Sequence, residues 1–193
     1  MWRSFSAPRI ANMQHIRRSF FVVPIAIILA MAFLPAKEFL TSKEIEKIQD
    51  AQSIDARVKI YLEAAELRLK TAEDRLMGKE PAEGDPLELF SPEEMIDGYF
   101  RIIKSVMMNL DEVAEKGGPN RALLGGALKM LKSSTEKSSA QLLVLKKIAE
   151  EKRKEEFWNG VNNAIDITNG ALEGAKYGLT KHPAPDEKGK KKK

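Results

Sequence analysis

The sequence predicts an all-α fold: a three- or four-helix, largely antiparallel bundle of long coiled-coil-like helices, preceded by an N-terminal signal peptide or anchor helix. Three observations predict it. The strong helix formers Ala, Leu, Glu and Lys are abundant, aromatics make up only 7% of the 193 residues, and no run of alternating β-branched residues occurs. Apolar residues recur at steps of three and four through most of the chain. Two segments carry the reciprocal Ser/Thr-x-x-Glu pattern of a helix start.

Residues 1–36 read as an export signal. Arg17 and Arg18 precede an uncharged run over 19–36, SFFVVPIAIILAMAFLPA, which ends in small residues suited to a signal peptidase. The expected cleavage follows Ala36, with Ala32 as second choice. Eighteen uncharged residues also approach the minimum for a membrane span, so an uncleaved anchor is the alternative. Pro24 and the small-residue end favour cleavage. Arg17-Arg18-Ser19-Phe20-Phe21 resembles a twin-arginine signal as well, but the run is very apolar and the body shows no cofactor ligands, so general secretion ranks above it.

The first helix of the body is expected over about 42–77. Thr41 and Glu44 form a capping box, Leu40 and Ile45 a hydrophobic staple, and Ile45, Ile48, Ala51, Val58, Leu62, Ala65, Leu69, Ala72 and Leu76 fall on one stripe. Gly78 stops it. Pro81, Gly84 and Pro86 then mark a linker, whose Leu87, Leu89 and Phe90 are expected to fold back over the helix ends.

A second helix is predicted over about 92–115. Ser91 caps it, Pro92 takes the first helical position and Glu94 completes the box. Ile96, Tyr99, Ile103, Val106, Leu110 and Val113 step 3-4-3-4-3, the most regular seam in the chain. Met95, Met107, Met108 and Met130 read as gap-fillers.

A third helix is expected over about 120–137, burying Leu124, Leu128 and Leu131. The polar stretch KSSTEKSSAQ, with Ser138 and Gln141 as a cap, argues for a break before a fourth helix over about 139–177. The alternative is one continuous helix with Thr135 and Ser138 at core positions, since the apolar phase carries through. Within the fourth helix, residues 150–156, EEKRKEE, have no apolar side chain; the pairs Glu150–Lys154 and Lys152–Glu156 would support an exposed helix bridging two packing regions.

That last helix carries the candidate functional residues. Asn159, Asn162, Asn163, Asp166 and Asn169 recur at helical spacing beside Trp158, although Asn and Asp compete with the backbone for hydrogen bonds and are poor helix formers. The stripe reads as an exposed face, as an interaction face, or as a buried hydrogen-bonded layer. Gly170, Gly174 and Gly178 follow at i,i+4 and predict close helix packing within the fold. From Lys181 a lysine-rich tail over 181–193 is expected to be disordered.

Catalytic and metal chemistry find little support. The chain has no cysteine, and its two histidines, His15 and His182, lie outside the predicted bundle. There is no Gly-rich phosphate loop, zinc spacing or nucleophile elbow. Residues 37–180 carry 22 basic and 26 acidic side chains, so the net charge of +4 belongs to the two ends and is no nucleic-acid signature. The expectation is an exported, periplasmic or extracellular, non-catalytic interaction or structural module of the bacterial cell envelope. It would have no cofactor and no metal, a protein partner, and seams that permit a homo-oligomer without requiring one. Membrane contact would come only through residues 19–36 if uncleaved. The rival readings are a membrane-anchored helical stalk and a carrier of a small apolar ligand between helices.

Overall fold

A computed structural model describes residues 38–184, and the expectations for the signal or anchor over 1–36, for cleavage at Ala36 and for residues 185–193 lie outside them. The described residues are all-helical, with no strand, and their five α-helices pack together. These are α1 (Ser42–Asp50), α2 (Ile54–Leu76), α3 (Pro92–Lys116), α4 (Leu124–Glu151) and α5 (Glu155–Lys181), with a 3-10 turn over Pro119–Leu123 before α4.

Local sequence accounts for the helix starts. In α1 the Thr41 amide donates to Glu44 Oε2 at 2.7 Å while the Glu44 amide donates to Thr41 Oγ1 at 3.3 Å. The Ser91–Glu94 box at α3 has the same reciprocal form, at 2.8 and 3.1 Å. Each box satisfies two backbone donors that a helix start leaves free. Gly78, Gly117 and Gly118, all at positive φ, lie in the reversals that follow α2 and α3.

The predicted helix over 42–77 is two helices. The chain leaves helical geometry over 51–53, with no glycine or proline to force it. Contacts distant in sequence supply the cause. The Ile54 amide, first in α2, donates to Asn120 Oδ1 at 3.3 Å, and the Arg68 guanidinium grips the Glu44 carboxylate with both of its terminal nitrogens. In one straight helix, residues 24 apart would stand about 36 Å from each other, so this pair can form only if α1 folds back on α2.

Two further boundaries differ from expectation. The break placed before Ser139 is absent, and α4 runs through KSSTEKSSAQ to Glu151. Thr135 and Ser138 are buried at core positions, and Thr135 Oγ1 donates to the Leu131 carbonyl at 2.8 Å, so the helix itself satisfies that hydroxyl. The predicted helix over 139–177 is instead interrupted inside EEKRKEE. Over 152–154 the chain reverses, with the Arg153 amide donating to the Glu150 carbonyl and the Lys154 amide to the Ala149 carbonyl, the paired bonds of a Schellman cap. Arg153 takes the left-handed position at φ 53 where glycine is usual. Helical ion pairs contribute only about 0.2–0.5 kcal/mol each. Folding the segment into a turn instead lets Leu142, Leu145 and Ala149 face Phe157, Val161 and Ala164, which outweighs them.

The four longer helices close a ring in which α2 neighbours α3 and α4, and α5 neighbours α3 and α4. The start of α2 meets Asn120 beyond the end of α3, and Gly178 near the end of α5 meets Leu128 near the start of α4. The apolar stripes of all four converge on one core. Leu87 folds into it, whereas Leu89, expected to do the same, is exposed. The start of the tail is ordered too, with the His182 and Pro183 carbonyls against Gly125, where an added Cβ would lie 2.6 Å from the Pro183 oxygen.

Two outcomes follow from this geometry. Replacing Arg153 by Gly removes the left-handed penalty at the α4–α5 turn and should stabilise the chain by about 1 kcal/mol in urea unfolding; a loss would show that the arginine side chain itself holds the turn. Burial alone would raise the Glu44 pKa, but hydrogen bonds from Arg68 and Thr41 outweigh it and hold the carboxyl below its ordinary value. A depressed pKa contributes stability above the unfolded value, near 4.5, that is lost as pH falls through the folded one. Wild type should therefore exceed Glu44→Gln in stability at pH 7, by a margin that shrinks as pH falls below the unfolded value.

Candidate functional site

The outer face of α5 holds the residues singled out from sequence. Its inner face, Phe157, Val161, Ala164, Thr168, Ala171 and Ala175, is buried, and apart from the phenylalanine these are small to medium side chains that let α3 and α4 come close. The helical period then turns Asn159, Asn163, Asp166 and Asn169 to solvent, where all four are exposed. Asn162 is half-buried, with its amide nitrogen donating to the Trp158 carbonyl at 3.1 Å, one turn back. The stripe is therefore a surface strip and forms no buried layer.

Trp158 closes the α4–α5 turn. Half-buried, it donates its indole N–H to Glu150 Oε1 at 3.0 Å, and Lys146 Nζ stands 5.1 Å above its ring. All three come from the two arms of the hairpin, so the indole bridges α4 and α5 and leaves only part of its edge to a partner.

The glycines divide. Gly170 and Gly174 are exposed, and a Cβ added at either would meet nothing within 4 Å, so the close packing expected of them is absent. At Gly178 a Cβ would stand 2.9 Å from Leu128 Cδ1, and there α4 and α5 do approach closely. Gly170 and Gly174 thus extend the asparagine strip as bare backbone. Together the residues form one polar, nearly flat face along α5, at Asn159, Asn163, Asp166, Gly170 and Gly174.

A polar cluster that the asparagines did not predict lies in the core. Tyr99 of α3 and Thr168 of α5 are fully buried, with 2.7 Å between their hydroxyl oxygens. Thr168 donates its own proton to the Ala164 carbonyl at 2.6 Å, so Tyr99 must be the donor to Thr168. Ser138 of α4 adds a third hydroxyl. Burial pushes the Tyr99 phenol up, and the bonds to Ser138 and Thr168 only partly offset this, so the phenol stays neutral and acts as a donor. One hydroxyl from each of three helices fixes their register. The signal in the sequence was a tyrosine and two hydroxyl residues in phase with apolar seams.

A surface groove between α2 and α4, about 230 Å³, is lined by Leu62 and Met130 together with Lys59, Glu63, Glu66 and Lys137. Among the described residues no group of three or more His, Cys, Asp or Glu could hold a metal ion, and no helix is long and apolar enough to cross a membrane. Comparison with protein families, with curated proteins and with solved structures gives no match to this chain.

Alanine substitutions separate the glycines by what surrounds them. Gly170→Ala and Gly174→Ala should each stabilise the chain by about 0.5–1 kcal/mol, because an exposed helix interior gains propensity and loses no contact. Gly178→Ala should lower the thermal midpoint, because its methyl collides with Leu128. A stabilising Gly178→Ala would mean that Leu128 moves aside freely.

Proposed function

We propose that this chain is an exported, non-catalytic protein, a largely antiparallel bundle of coiled-coil-like helices that serves as an interaction or structural module of the bacterial cell envelope. Its protein partner is met by the outer face of α5, through Asn159, Asn163, Asp166 and Asn169, with Asn162 and Trp158 at the margin.

The observation that carries this reading is a cost without a local return. Four Asn or Asp residues and two glycines occupy exposed positions of one helix, where each is worse than alanine by about 0.5–1 kcal/mol, roughly 4 kcal/mol in all. None of the six has a neighbour within the fold that explains it. Short carboxamides with exposed donors and acceptors, beside backbone bare of Cβ atoms, suit a partner surface that comes close and hydrogen-bonds. Export is supported by Arg17 and Arg18 ahead of the uncharged run over 19–36 and by the small residues that end it.

The test is site-specific photocrosslinking in the native host, with the reactive residue at position 163 and, as reference, at exposed Leu143 on α4, together with the intact mass of the protein from soluble and membrane fractions. The expected outcome is one discrete protein adduct from position 163 and none from 143, on a soluble species starting near Lys37. Equal, diffuse labelling from both positions would remove the α5 face as the site. Full-length protein confined to membranes would replace the free module by an anchored stalk.

A further inference from the structure

The firmest polar contact outside the α5 face is the attachment of residues 38–50 to α2. Arg68 is only 1% exposed, yet it carries a charge. Its guanidinium meets both Glu44 carboxylate oxygens, the Phe39 carbonyl at 3.0 Å and, more loosely, the Ala64 carbonyl at 3.4 Å. Gly98 of α3 lies alongside it, where an added Cβ would make ordinary van der Waals contact, 3.5 Å from Arg68 Cγ and 3.8 Å from the Phe39 oxygen. The principal partners of this buried arginine thus come from residues 38–50.

The segment itself is lightly held. No residue of α1 is buried, and among the described helices α1 packs on α2 alone, while Phe39 and Leu40 before it rest against the core and Phe39 lies near Gly98 of α3. Its apolar contribution is limited to half-buried Phe39, Leu40, Ile45 and Ile48. Three non-helical residues, 51–53, join it to α2.

We propose that residues 38–50 form a displaceable arm, seated in a carboxylate socket centred on Arg68, which opens as a unit while α2–α5 stay folded. The energetics of the ion pair decide this. Removing one partner of a buried pair is destructive when the other charge stays buried. Here the arm is itself the cover, so its departure exposes Arg68 to water and leaves no stranded charge. The apolar core of α2–α5 takes no fully buried side chain from the arm. The open form presents a guanidinium beside Gly98, a fork suited to the carboxylate of another peptide segment.

Hydrogen exchange on the full chain, followed by mass spectrometry at pH 7, tests the proposal in wild type and in Glu44→Gln. Wild-type amides over 45–50 should exchange roughly tenfold or more faster than those of Tyr99–Leu110 in α3, through an opening that leaves α3 protected. Glu44→Gln should accelerate 45–50 by a further tenfold or more, and 45–50 should remain faster than α3 in the variant as in wild type. The proposal is overturned if 45–50 exchange only with the global event in wild type, a result that needs no variant. It is equally overturned if Glu44→Gln leaves the exchange of 45–50 unchanged.

Discussion

Four apolar stripes on one chain can be buried only against each other, and that requirement dictates where the chain reverses. The clearest case is the turn over 152–154. A run of seven charged residues would be an acceptable exposed helix if local energies decided, because its ion pairs are correctly spaced. It becomes a Schellman turn because the segments on either side carry stripes that find each other only after a reversal. The ring of α2, α3, α5 and α4 follows from that reversal, as does the indole of Trp158 spanning the two arms.

Polar groups then refine what apolar burial permits. Burial alone tolerates some sliding of one helix along another, whereas a hydroxyl without a partner inside the core costs about 1–3 kcal/mol. Tyr99, Thr168 and Ser138 are satisfied together in a single register, and the remaining Thr168 and Thr135 protons return to carbonyls of their own helices. Arg68 does the same work at the edge of the fold with a charge. It sets where residues 38–50 lie, with Gly98 of α3 in ordinary contact alongside its stem.

What the sequence revealed divides along the same line. Capping boxes at Thr41 and Ser91 and the stripes of α2 and α3 were legible because their causes lie within a turn or two of the residues concerned. The break over 51–53 was hidden because its causes, Asn120 and Arg68, lie far along the chain and no glycine or proline marks the spot. Arg153 concealed the α4–α5 turn for a related reason, since it occupies a conformation that glycine normally advertises. At Thr135 and Ser138 two signals conflicted, and helical phase proved a better guide than polarity because hydroxyls can bond within their own helix. At the asparagines, composition alone could not tell a buried layer from a surface strip; the position of Val161, Ala164 and Thr168 on the opposite side of α5 decides it.

That decision changes what the strip means. Had Asn159, Asn163 and Asp166 faced the core, their poor helix propensity would be offset by hydrogen bonds, and Gly170 and Gly174 by tight packing. Both offsets exist in this protein, but elsewhere: the hydroxyl cluster around Tyr99 supplies the buried polar register, and Gly178 and Gly125 supply the close approaches. The outer face of α5 is left with the cost alone. A helix of alanine and glutamate at those positions would satisfy every requirement of the fold, so no packing among the described residues accounts for asparagine and glycine there.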